Sequence, residues 1–199
     1  MGYYVRLLTP SDAIVPFGEL REALGSNARL TLEAGADDVW EQILLSLDDG
    51  RDVLVVERNP VEGANSLGAE EIQEFLEDIA ECKPQTAVEW LKEYLPTVKS
   101  IFAFQLLDAC SSDEGGAAFD LLRSHLWSSL GGIFQADAEG FSNEDDYHIL
   151  WQFRDNVSGP WNMAVLQNGK WIPFEMDLGN RQHRAAFLAG LVPDGEVIQ

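Results

Sequence analysis

The sequence predicts an α+β protein, mostly antiparallel sheet with helices, arranged as two similarly ordered halves packed together. Three observations carry this expectation. Short apolar or alternating runs mark strands, and two pairs of them are joined by Asp49-Gly50 and Asn168-Gly169, dipeptides that tolerate the positive φ of a tight hairpin. Apolar residues at helical spacing mark helices between these strand sets. The order strand, helix, several antiparallel strands, helix then occurs twice within 199 residues.

Taken in order, residues 3–9 are β-prone and bounded by Pro10. Residues 17–24, with Phe17, Leu20 and Leu24, form a short helix stopped at Gly25. Residues 29–33 alternate apolar with polar, and residues 40–47 and 52–57 flank Asp48-Asp49-Gly50, so a three-stranded antiparallel unit is implied. The spacing of Ile72, Phe75, Leu76 and Ile79 predicts a helix over 69–83, with Glu70, Glu71 and Glu74 in the early turns where the helix dipole favours anions. Pro84 ends it. Thr86 and Glu89 form a capping-box pattern for a second helix, whose buried stripe is Val88, Leu91 and Leu95.

Residues 100–107 predict a buried strand, and residues 114–130 a helix with Leu122, Leu126 and Leu130 on one face and Gly131 past its end. Residues 133–138, 147–153, 161–167 and 171–176 read as strands, the last two joined by Asn168-Gly169. A final helix, capped by Asn180, carries Phe187 and Leu188. The seam falls near 96–100, which gives α+β halves at 1–98 and 99–199. Trp40, a hairpin and a helix with Phe75-Leu76 are echoed by Trp161, a hairpin and a helix with Phe187-Leu188, the pattern of a degenerate duplication. No Gly/Ser-rich linker separates the halves, so one compact unit is expected.

The net charge is −21, spread along the chain: residues 1–99 carry 8 basic and 20 acidic side chains, and residues 100–199 carry 5 and 14. Such a surface repels phosphate backbones and anionic lipids, which disfavours nucleic-acid and membrane partners and favours a basic protein. Cys82 and Cys110 are the only cysteines, without CxxC or zinc spacing, and the first residues contain no signal-length apolar run. A reducing, cytoplasmic location is therefore expected, with no cofactor and no metal.

Few residues stand out as carriers of chemistry. The acidic segment 135–146 fits a calcium loop poorly, because Gln135 would hold its first position and its flanks read as strands. If that segment joins antiparallel strands, Asp137 and Glu139 share a face, and one register sets Asp137 opposite His148, a carboxylate–imidazole pair able to do acid/base work or serve as an ordinary cross-strand contact. Arg181, His183 and Arg184 crowd the first turn of the last helix, where cations need a compensating anion, either a bound ligand or Glu175 or Asp177. Trp161 and Trp171 flank turns and are candidates for exposed anchors beside acidic loops.

No nucleophile elbow, HExxH or Walker A pattern is present, so the sequence points away from an enzyme. The leading expectation is an acidic protein-interaction module that binds a basic protein, an immunity- or antitoxin-like inhibitor being one version. The alternative is a small-molecule-binding protein or hydrolase-like enzyme, with Asp137, Glu139, His148, Arg181, His183 and Arg184 around a cleft.

Overall fold

A computed structural model describes residues 2–193 except 27, 64 and 155. Its first elements are β1 (Tyr3–Thr9), α1 (Phe17–Leu24), β2 (Arg29–Ala34), β3 (Gln42–Ser46) and β4 (Asp52–Pro60). Two helices, α2 (Leu67–Asp78) and α3 (Gln85–Tyr94), precede β5 (Ser100–Leu106) and α4 (Asp113–Leu130). The chain continues through β6 (Ile133–Ala136), β7 (Gly140–Phe141), β8 (Pro160–Gln167), β9 (Lys170–Asp177) and α5 (Arg181–Leu188). The class is α+β, and strand pairing is mostly antiparallel.

Two compact units form, and each is built from two separate segments of the chain: Met1–Glu70 with Val98–Gly132, and Glu71–Thr97 with Ile133–Gln199. In the first unit the strands run in the order β2-β3-β4-β5-β1, every pair antiparallel. β5 is central, with Ser100 facing both Thr9 and Pro60, and its residues 100–104 are all buried. That burial explains why it reads as a continuous apolar run rather than an alternation. Phe102 meets Trp40 at 5.7 Å, and Phe104 meets Phe119 of α4 edge-on at 5.7 Å.

The ends of α4 are fixed by named bonds. Ser112 accepts the Gly115 N–H at 3.1 Å, and Thr9 Oγ1 donates to the Leu130 carbonyl at 3.0 Å, so groups orphaned at both termini find partners. Gly132 follows at φ 118°, and a Cβ there would lie 2.5 Å from the Leu8 carbonyl oxygen, so no other residue fits.

In the second unit the β8–β9 hairpin turns at Asn168 and Gly169, with φ 51° and 74°, as the Asn-Gly pair predicts. One face presents Met163, Val165, Phe174 and Met176 to a core completed by Phe153, Leu178 and Phe187 of α5. On the other face Ala164 is fully buried and Trp171 meets Trp90 of α3. The two-residue period of the strands divides the hairpin between two helices.

Several sequence expectations are corrected. The helix predicted over 69–83 ends at Asp78, because i→i−3 bonds from Ala80 to Glu77 and from Cys82 to Ile79 tighten the chain into turns. The capping box at Thr86 does not form: Pro84 holds the N-cap position with φ −72°, and its carbonyl accepts Ala87 N–H and Val88 N–H. Residues 147–153 are no continuous strand. Their backbone N–H groups go to unrelated partners, Ile149 to Phe141, Trp151 to Lys83 and Gln152 to Glu139, so the apolar alternation reflects serial contacts rather than one ladder. No helix among the described residues is long and apolar enough to cross a membrane.

Candidate functional site

Every residue singled out in the sequence lies in the second unit, and the structure sorts them into three places. The first is the hairpin of β6 and β7, where Gln135 pairs with Phe141 and Ala136 with Gly140. Its tip is only Asp137-Ala138-Glu139, with Ala138 at φ 60° and Gly140 at φ 119°. A separate turn follows. Asn143 is fully buried, and its Oδ1 accepts the N–H groups of Asp145 at 3.1 Å and Tyr147 at 2.9 Å, which fixes the acidic turn Glu144–Asp146 on a buried amide.

His148 is stitched along the edge of β8: its N–H donates to the Asn162 carbonyl at 3.0 Å, and its carbonyl accepts Ala164 N–H at 2.8 Å. The imidazole is stacked on Phe153 at 5.3 Å and meets Trp161 edge-on at 5.4 Å. A carboxylate beside it is that of Glu139, with Nε2 to Oε2 at 3.9 Å. That separation is an electrostatic approach, longer than a hydrogen bond. Trp161 therefore packs in an aromatic group with His148 and Phe153.

The second place is the start of α5. Asn180 caps it, its Oδ1 accepting Gln182 N–H at 2.9 Å and His183 N–H at 3.4 Å. Arg184 spends its guanidinium internally: Nη2 donates to the Leu178 carbonyl at 2.7 Å and Nε to the same oxygen at 3.3 Å, while the ion lies 4.7 Å from the Trp151 ring centre. The anion nearby is internal too. Asp177 accepts Gly179 N–H at 2.8 Å and Gly159 N–H at 2.9 Å, and these bonds, with the charge of His183, hold its carboxyl below the ordinary aspartate range. Arg181 is exposed on the first turn.

The third place is the α3 side of the β8–β9 hairpin. Trp90 and Tyr94, one helical turn apart, stack at 5.0 Å and 18°, and Trp171 meets Trp90 edge-on at 5.3 Å. All three are half-buried. Burial, and to a lesser degree the charge of Glu144, push the Tyr94 hydroxyl well above its usual range. Sequence reasoning found Trp171 and the acidic segment but missed Trp90 and Tyr94. The available signal was their i, i+4 spacing, off the Val88–Leu91–Leu95 stripe.

Burial raises the thiols of both Cys82 and Cys110 above the ordinary value, which leaves little thiolate at neutral pH. Among the described residues no three His, Cys, Asp or Glu side chains gather into a metal-binding set. Compared with known protein families, curated protein sequences and solved structures, the chain matches none of them.

Proposed function

We propose that this protein is an acidic interaction module that binds a basic protein partner through the aromatic group Trp90, Tyr94 and Trp171 and the acidic turn at Glu144–Asp146. The supporting observation is a cluster of half-buried aromatic rings on which the charge of Glu144, in the acidic turn of the same unit, acts at Tyr94. Large, stiff rings supply contact area at small entropic loss, while carboxylates around them steer a cationic partner and raise its association rate. An inhibitor of the immunity or antitoxin kind is one concrete form of such a module.

The rival, a small molecule handled by Asp137, Glu139, His148, Arg181, His183 and Arg184, draws support from the Glu139–His148 approach. Arg184, its strongest anion-binding group, is engaged with Leu178 and Trp151.

The test begins with capture of partners at low salt and their identification, followed by titration of the purified partner. Trp171→Ala is expected to weaken binding by about 30-fold, the loss typical of a central aromatic anchor. Glu144→Gln with Asp145→Asn is expected to slow association and flatten its salt dependence. Recovery of no basic protein, or binding indifferent to added salt, refutes the reading.

A further inference from the structure

We propose that the first unit carries a separate docking groove, between the β3–β4 turn and the N-terminal half of α4, whose occupant is an apolar peptide segment of a partner protein bearing arginine or lysine. The groove encloses about 620 Å³. Its apolar lining comes from Leu47, Ala118 and Leu121, and its rim from Asp48, Asp49 and Glu114. Glu114, Ala118 and Leu121 fall at helical spacing, so one stripe of α4 supplies a carboxylate and then an apolar wall. Leu121 is among the few large apolar side chains left exposed, at 37%.

The chemistry of the occupant follows from a charge imbalance. Arg51 already sits between the two sides: its Nε is 2.7 Å from Asp49 Oδ2, and its Nη2 is 3.3 Å from Glu114 Oε2. A guanidinium therefore fits between these carboxylates. Arg51 also lines a neighbouring groove of about 770 Å³ that includes Asp52 and Asp108. Among the described residues, Arg51 is the only cationic side chain lining either groove, against five carboxylates. Lysine and arginine suit both parts of such a surface, because their methylene stems cover apolar area while the charged head reaches a carboxylate. Nucleic acid and anionic lipid are repelled by the same rim.

The groove is lined by first-unit residues alone and the aromatic group belongs to the second unit, so the two proposals rest on different side chains and fail separately. The probe is a labelled peptide, acetyl-Leu-Arg-Leu-Arg-Leu-amide, titrated into the full-length protein at about 20 mM and about 200 mM salt. The double variant Asp49→Asn, Glu114→Gln is expected to weaken binding about 10-fold, although it moves the net charge only from −21 to −19. Arg51→Ala frees the two carboxylates and is expected to tighten binding about 3-fold. Leu121→Ser is expected to weaken it about 3-fold, and Trp171→Ala to leave it unchanged. All of these first-unit side chains are exposed, and Asn keeps the acceptor that Asp49 offers to Arg51 N–H at 3.1 Å, so folding is retained. Absence of binding at low salt, equal binding by the double variant and the unaltered protein, or weaker binding by Arg51→Ala overturns the groove. Loss confined to Trp171→Ala overturns it as well and moves the peptide to the second unit.

Discussion

Arg184 separates a structural brace from an anion site, and its replacement gives a measurable answer. Arg184→Ala removes a charge-assisted hydrogen bond to the Leu178 carbonyl at 2.7 Å, a longer second bond to the same oxygen and a cation–π contact at 4.7 Å. A hydrogen bond from a charged donor contributes about 1.5–3 kcal/mol net. A partly exposed cation–π contact adds about 0.5–1 kcal/mol. The loss is therefore about 2–4 kcal/mol, which for a chain of this length lowers Tm by about 5 °C or more. Arg184→Lys keeps the charge but not the planar fork, and is expected to recover only about a third of that loss. Thermal unfolding followed by tryptophan fluorescence, with Trp151 as a neighbouring reporter, reads both variants. A Tm for Arg184→Ala within about 1 °C of the unaltered protein, or full recovery by lysine, refutes the brace.

Two further outcomes follow from local geometry. Gly140→Ala forces an L residue to φ 119° and sets a Cβ 2.6 Å from the Leu150 carbonyl oxygen, so it is expected to cost about 2–4 kcal/mol in urea unfolding. Gly169→Ala, at φ 74° with open space around it, is expected to cost only about 1 kcal/mol, and equal losses at the two glycines would show that close approach is not the cause. The Asp177 carboxyl has a folded-state pKa below its unfolded value. Its contribution is therefore complete above the ordinary aspartate range and is lost as pH falls through the lower folded value. Asp177→Asn should lower Tm at neutral pH, with the gap to the unaltered protein closing in strong acid; a gap constant from pH ~7 to ~2 contradicts this.

The parts legible in the sequence were those written by short-range rules. The Asp-Gly and Asn-Gly turns, the apolar β5 and the α4 stripe ending at Gly131 are each specified by a few neighbouring residues. The site was less legible. An alternation over 147–153 looks the same whether it faces one ladder or several partners, and only the bonds from Ile149, Trp151 and Gln152 decide between them. A two-residue period puts Asp137 and Glu139 on one face, but the hairpin tip at Ala138 and Gly140, which brings Glu139 within 3.9 Å of His148, is not written in that period. Arg184 had the chemistry of an anion binder, but its Nε and Nη2 donate to a carbonyl six residues earlier.

By itself the sequence determined the α+β class, the two hairpins at Asp49-Gly50 and Asn168-Gly169, most helix bounds and the anionic character, because local turn chemistry, side-chain periodicity and charge need no knowledge of distant partners. Tertiary structure alone decided which aromatics share a surface. Register pairs Trp161 with Met176 and Leu166 with Trp171, which sends the two tryptophans to opposite faces of one hairpin and sets Trp171 against Trp90 of a helix some 80 residues earlier. Pairing register and helix docking are long-range outcomes, fixed by which packing buries the most apolar surface while satisfying the backbone, and a linear pattern does not encode them residue by residue.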